Sequence, residues 1–192
     1  VIYKGLVFEV FQGVYEPCDD SFLLAENLKI KRGEAVLDMG TGCGIQGILA
    51  ASRGGRVLAC DVSAKAVECT RYNARRNNIR ITVAESDLFK GVEGSFDLIV
   101  FNPPYLPSEP LEEKDEYART WDGGKDGREI IKKFICECRG FLNPGGRVEL
   151  VISSLTGIEE VMRELARSGL NPRILASQRF FFEELVLIEG QL

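Results

Sequence analysis

Val36-Leu37-Asp38-Met39-Gly40-Thr41-Gly42-Cys43-Gly44-Ile45 is the stretch that decides the fold. Val36-Leu37-Asp38 reads as the end of a buried strand, and Ile45 opens a run with helical apolar spacing. The glycines between them let the backbone turn tightly and come close to a ligand. The helix N-terminus that follows favours a negative group. A strand that enters a helix through a glycine turn is the opening unit of a parallel α/β sheet.

Working outward, the same alternation continues on both sides. Val57–Cys60, Ile79–Val83, Phe96–Phe101 and Val148–Ile152 are apolar runs of strand length. Ser63 is placed to cap a helix reaching about Asn77. Ile130, Phe134 and Cys138 share a helical face with Ile131 and Ile135 beside them. Thr156 and Glu159 have capping-box spacing before Val161, Met162 and Leu165, and Gly169 is placed to end that helix. Arg173–Ser177 and Leu185–Glu189 are strands with a short connection, so they are expected to pair as an antiparallel hairpin. The expected fold is a mostly parallel seven-stranded sheet, covered on both faces and ending in that hairpin. Residues 1–192 are expected to form one domain, with a flap and helix in 1–30 and a substrate loop in 103–126. That loop is rich in Pro, Glu and Gly and carries the only tryptophan, Trp121.

Composition removes several kinds of chemistry. The chain has no histidine, which excludes a Ser-His-Asp triad, a Cys-His dyad and a Cys/His zinc site. Its six cysteines form no CxxC pair, and Cys136 and Cys138, two apart on a helix, point to different faces; reduced thiols are expected. A net charge of -5 argues against broad nucleic-acid binding, and Arg71, Arg75, Arg76 and Arg80 read as a solvated helix face. No apolar stretch reaches membrane-spanning length, and Val-Ile-Tyr-Lys-Gly lacks the layout of a secretory signal, so a cytoplasmic location is expected.

Two nucleotide patterns fail at the glycine turn. Ile45 stands where a dinucleotide fingerprint needs its third glycine, and no Gly-Lys-Ser/Thr follows. Asp61 instead ends the second strand, where a carboxylate can take both ribose hydroxyls. Asp87, followed by Leu88, comes after the third strand, where an acid can accept a bond from an adenine amino group. Asp38, Asp61 and Asp87 therefore converge on one crevice at the sheet's carboxyl edge. This spacing resembles the motifs of class I methyltransferases, over nearly the whole chain. The resemblance implies a Rossmann-like fold and S-adenosylmethionine as donor, leaving S-adenosylhomocysteine, with no metal. Tyr15, Ser21, Asp38, Gly40, Gly42, Gly44, Asp61, Asp87, Leu88 and Asn102 are the expected cofactor contacts. Tyr15 to Ser21 would form a flap over the donor's methionine end, or Asp20 or Ser21 would simply cap the next helix.

Asn102-Pro103-Pro104-Tyr105 follows the strand Phe96–Phe101, where the sheet order reverses and ligands bind. An amide or aryl amine nitrogen shares its lone pair with its π-system and attacks poorly. The Asn102 carbonyl and the Pro103 backbone carbonyl can accept both of its N–H bonds, fixing the lone pair toward a methyl donor. The prolines stiffen the segment, and Tyr105 offers a ring for a flat group. Rate would come from alignment and preorganised electrostatics, with no strong base required.

Tyr15-Glu16-Pro17, Asp38 to Gly44, Phe101 to Tyr105 and Trp121-Asp-Gly-Gly-Lys-Asp-Gly-Arg128-Glu together resemble the HemK-type (PrmC/Mtq-like) glutamine N5-methyltransferases. The short chain and Ser177-Gln-Arg179 are similar to the archaeal and eukaryotic branch. The resemblance implies N5-methylation of the Gly-Gly-Gln glutamine of a class 1 peptide-chain release factor. It also implies a small zinc-binding activator protein that adds a strand to the sheet, with residues 80–83 as the docking edge. Asn102 would hold the amide, Tyr105 and Trp121 would line its pocket, and Gly123, Gly124, Gly127 and Arg128 would shape the substrate loop. Adenine N6-methylation of DNA or RNA, lysine methylation, and a noncatalytic binding subunit are the competing readings. Glu112, Glu113, Asp115 and Glu116 either form a solvated loop surface or repel a phosphate backbone, the second of which disfavours the nucleic-acid reading.

Overall fold

The computed structural model describes residues 1–105 and 127–192. Ile2–Tyr3 (β1) and Leu6–Val7 (β2) make a small antiparallel pair, and α1 spans Asp19–Asn27. Then come β3 (Ala35–Met39), α2 (Ile45–Ser52), β4 (Arg56–Asp61), α3 (Ala64–Arg76), β5 (Thr82–Glu85) and β6 (Phe96–Phe101). After the segment not described come α4 (Glu129–Cys138), β7 (Leu142–Ser153), α5 (Ile158–Arg167), β8 (Asn171–Arg179) and β9 (Glu184–Gln191).

Among the described residues the main sheet has the order β5-β4-β3-β6-β7-β9-β8. β3 to β7 run parallel, and β9 inserts antiparallel between β7 and β8. This is the expected parallel sheet with its antiparallel tail. Side chains alternate across it with period two. Leu37, Met39, Ile99, Phe101, Leu150 and Ile152 pack with Ile131, Phe134, Val161 and Leu165 of α4 and α5. Val36, Leu98, Val100 and Val151 face Leu24 of α1 and Leu49 and Ala50 of α2. Strands covered on both faces in this way read as continuous apolar runs.

The helix signals are mostly obeyed. Ser63 caps α3 by accepting the Ala66 N–H. Gly169 ends α5 at φ +85°, with Gly169 N–H on Ala166 O and Leu170 N–H on Leu165 O, the paired bonds of a Schellman ending. Cys136 is exposed and Cys138 buried, as their spacing requires.

Three local expectations are corrected. The capping box at Thr156 does not form: Thr156 lies in a single 3-10 turn, Ser154–Thr156, and Gly157 at φ +88° is the N-cap of α5. Thr156 spends its hydroxyl elsewhere, as described below. The edge strand lies at Thr82–Glu85, two residues beyond the expected 80–83, because Ile79 N–H closes the end of α3 on Ala74 O. Neither Asp20 nor Ser21 caps α1, which starts at Asp19 after Cys18 and carries both inside its first turn, where they are buried.

At the end of the sheet away from the strands' carboxyl termini, Arg147 sits among Glu34 (2.6 Å), Glu149 (3.0 Å) and Glu189, which also binds Arg173 (2.7 Å). Burial raises the Glu149 carboxyl above its ordinary pKa, opposed by Arg147.

Candidate active site

The parallel register sets the candidate site side by side. Met39 pairs with Cys60 and with Phe101, and Asp61 pairs with Glu85. Gly40, Asp61, the Ser86-Asp87 turn and Asn102 therefore leave adjacent strands at the same edge. Thr41 N–H on Cys60 O (2.9 Å) and Ser86 N–H on Asp61 O (2.8 Å) extend the ladder to that edge.

Gly40, Gly42 and Gly44 all have positive φ. A Cβ at Gly44 would meet Ile48 at 2.9 Å and Thr70 at 3.0 Å, so packing as well as conformation requires glycine. A Cβ at Gly42 would meet nothing within 4 Å, so that side of the turn opens onto free space. Asp61 accepts from Gly42 N–H (3.0 Å) and Ser63 N–H (2.9 Å), and its pKa is raised by burial. Asp87 is exposed. Leu88 is half-buried at φ +50°, an uncommon conformation for leucine, in a turn where the Ser86 hydroxyl bonds Leu88 O and Lys90 O, both at 2.7 Å.

Asp38 differs from the other two aspartates. It is buried under the turn and accepts from Thr41 Oγ1 (2.6 Å) and Gly47 N–H (2.8 Å). Burial raises its pKa to about 7 despite those bonds. A Cβ at Gly47 would lie 2.8 Å from Asp38 Oδ2, so that glycine is what lets strand and helix close together. Asp38 thus braces the glycine turn from beneath.

At the β6 end, Asn102 donates from Nδ2 to Ser21 Oγ (3.3 Å), while its Oδ1 is buried with no hydrogen-bond partner among the described residues. Asp20 ties the surroundings together. Its Oδ2 accepts the hydroxyls of Tyr15 (2.8 Å) and Tyr105 (3.0 Å), and its Oδ1 accepts from Ser21 N–H (2.5 Å) and Ser21 Oγ (3.2 Å). Burial and then the Asp20 charge raise both tyrosine pKa values, so these hydroxyls are donors held in place. Gln46 donates to Ser21 O (2.7 Å), anchoring the α1 turn on α2.

The Thr156 hydroxyl donates to Tyr105 O (3.0 Å), and Thr156 O accepts from Arg128 Nη1 (2.6 Å). Arg128, expected to shape a substrate loop, thus braces the turn that holds Tyr105. Trp121, Gly123 and Gly124 lie outside the described residues, as does residues 106–126 of the expected loop. A pocket of about 310 Å³ opens beside Tyr105, lined by Tyr15, Asp19, Asp20, Tyr105, Phe180–Phe182 and Glu183 among others. The larger depression, about 1160 Å³, runs along Val7–Val14 beside Lys65 and Arg76 and touches neither Asn102 nor the strand-end aspartates.

Sequence reasoning missed Gln46, Gly47 and Thr156 in these roles, and read Asp20 only as a cap. The available signal was weak: a polar residue within an apolar helix for Gln46, and two adjacent aspartates before Ser21. Among the described residues no helix is long and apolar enough to cross a membrane, and no cluster of side chains has metal-ligand grouping.

Comparison with known proteins adds to this geometry. Residues 15–118 match the family model of the methyltransferase small domain. A Methanocaldococcus jannaschii protein with the provisional name protein N5-glutamine methyltransferase is 42% identical over 97% of this chain and 96% of its own. Human methyltransferase HEMK2 is 31% identical over 93% of this chain and 90% of its own. The solved E. cuniculi Mtq2–Trm112 complex, described as responsible for methylation of the eRF1 translation termination factor, aligns with a TM-score of 0.74. Its match is 26% identical and covers 94% of this chain and 99% of that one. The chain belongs to the methyltransferase small-domain family and, within it, to the HemK-type glutamine N5-methyltransferases that use S-adenosylmethionine.

Proposed function

We propose that this chain methylates the side-chain amide nitrogen of a glutamine in a class 1 peptide-chain release factor, at its Gly-Gly-Gln motif. The observation that carries the reading is Asn102 Oδ1, a buried carbonyl oxygen at the carboxyl edge of the sheet with no partner among the described residues. A buried acceptor left unpaired is costly, and a substrate N–H is what satisfies it.

The residues fit the donor. The open side of the Gly42 turn and the Asp61 carboxylate would take the nucleoside, with Asp87 and Leu88 at the adenine and Gly40 beside them. Ser21 and the Tyr15–Asp20 pair would close over the amino-acid end. S-adenosylmethionine supplies the electrophilic methyl on a sulfonium. The chain's own residues orient the acceptor. Asn102 Oδ1 and the Pro103 carbonyl hold the two amide N–H groups, drawing the nitrogen lone pair out of conjugation. The Pro-Pro segment keeps these carbonyls from relaxing, and Asp20 and Thr156 fix Tyr105 at either end. Neither tyrosine acts as a base, because both hydroxyls stay protonated.

A small partner protein is part of the proposal, since the E. cuniculi relative is solved with one. A zinc-binding partner would add a strand to the exposed edge at β5. There the Val83 carbonyl already accepts from Arg71 (2.7 Å), so docking would displace that guanidinium. Transfer of labelled methyl to purified release factor, compared with a Gly-Gly-Ala form, tests the acceptor. Equal labelling of both forms, or labelling of added RNA instead, would overturn it.

A further inference from the structure

The β8–β9 turn carries three consecutive phenylalanines, and two of them, Phe181 and Phe182, pack on little of the fold. Phe181 is 93% exposed and Phe182 84% exposed, with their rings edge to face at 4.7 Å. The turn itself is closed by Phe180 N–H on Glu183 O (2.8 Å), a bond that needs no aromatic side chain. Turn corners favour glycine, asparagine, aspartate or proline, and two large rings in water lack a local reason to be there.

Their surroundings supply one. Phe180–Phe182 share the 310 Å³ pocket with Tyr105, the last residue of the Asn-Pro-Pro-Tyr segment. The remaining wall is acidic: Asp19 is exposed, Glu183 is half-buried with one oxygen on the Ser153 hydroxyl, and the buried Asp20 adds its charge from beneath, with no lysine or arginine among the described lining residues. The cation next along the chain, Arg179, is directed to Glu184 at 3.5 Å. A wall of carboxylates beside exposed rings suits a chain bearing a cation and an apolar group. The cation meets carboxylate charge and ring faces, and the apolar group covers the rings.

We propose that the Phe180–Phe182 turn and its acidic wall form a docking site for the acceptor protein's segment next to the methylated glutamine. That segment carries lysine or arginine and an apolar side chain within a few residues of the glutamine. The proposal rests on the reading of Asn102 as the glutamine holder, and it adds how the segment is chosen.

The test uses the Phe181→Ser, Phe182→Ser double variant of the full chain, which changes only exposed rings. Two fluorescent glutamine peptides serve as probes, one with flanking Lys and Leu, the other with Glu and Ser in their place. Anisotropy is expected to show about tenfold tighter binding of the basic, apolar peptide to the unmodified protein, an advantage the double variant loses. Binding of S-adenosylhomocysteine and the melting temperature are expected to be unchanged. In turnover, the variant's loss is expected in KM with kcat retained. Equal binding of the two peptides, or a variant that binds the basic peptide as well as the unmodified protein, would overturn the proposal. So would a change from dimer to monomer in the variant with peptide binding intact, which would assign the rings to a second copy. Selective binding of the basic peptide without methyl transfer would leave the docking site standing and refute the glutamine reading.

Discussion

Replacing Asn102 by alanine separates the role given to its carbonyl from any structural one. Among the described residues the side chain makes one weak bond, Nδ2 to Ser21 Oγ at 3.3 Å, and leaves Oδ1 buried and unpaired. Losing the bond costs about 0.5–1.5 kcal/mol, while removing the unpaired oxygen recovers about 1–3 kcal/mol. Asn102→Ala is therefore expected to fall between about 0.5 kcal/mol destabilising and about 2.5 kcal/mol stabilising. For a chain of this size the upper bound raises the melting temperature by at most about 10 °C. Turnover moves the other way: one preorganised group acting on the reacting atoms is worth about 10²–10³ in kcat. The assay pairs calorimetric melting with labelled-methyl transfer to release factor at saturating donor, and checks S-adenosylhomocysteine binding separately. A variant that melts several degrees lower would mean Oδ1 is already satisfied. A kcat near that of the unmodified protein would remove Asn102 from the chemistry.

Asp20→Asn turns one of two accepting oxygens into an amide NH2 with no lone pair to offer, so either the Tyr15 and Tyr105 hydroxyls or the Ser21 N–H and hydroxyl lose their acceptor. Stability is expected to fall by about 1–3 kcal/mol, with kcat reduced more than donor affinity; urea titration and steady-state kinetics check both. Gly44→Ala forces a side chain onto φ +90° and within 3.0 Å of Thr70, so a loss of about 1–3 kcal/mol and of S-adenosylhomocysteine binding is expected by calorimetry. The pH dependence follows from Asp38, whose pKa is raised to about 7 by burial. A carboxyl that holds its proton more tightly when folded contributes most below its unfolded pKa, near 4, and that contribution is lost as pH rises through 7. Melting temperature is thus expected to fall from pH 5 to pH 7.5, with Glu149 acting in the same direction, and Asp38→Asn is expected to flatten the slope. An Asp38→Asn protein with an unchanged slope would refute the assignment.

The fold was legible where local pattern and tertiary need agree. Phe96–Phe101 is apolar except for Asp97, which accepts the Ala35 N–H (2.8 Å) near the strand's start, because the strand is covered on both faces, and Ser63 caps its helix through a local bond to Ala66 N–H. Legibility failed where a side chain was recruited over a long sequence distance. Thr156 has every local mark of a helix cap, yet its hydroxyl goes to the Tyr105 carbonyl, 51 positions earlier. Asp20 and Ser21 look like caps for the same reason and are instead buried under the Asn-Pro-Pro-Tyr segment. The strand spacing puts Asp38, Asp61 and Asp87 at the same end of three neighbouring strands. The burial that sets Asp38 beneath the turn, while Asp87 stays exposed, depends on the close approach of α2 that Gly47 allows, and no local window carries that.

Thr156 has a consequence beyond holding Tyr105. Tyr105 is the last described residue before segment 106–126, and Arg128 stands just after it. Both are fastened to Thr156, one through its hydroxyl and the other through its carbonyl. The two ends of the insertion are thereby riveted to a single point of the scaffold. The scaffold thus sets where the chain leaves the Asn-Pro-Pro-Tyr segment and where it re-enters α4, whatever lies between: a chassis with two fixed couplings.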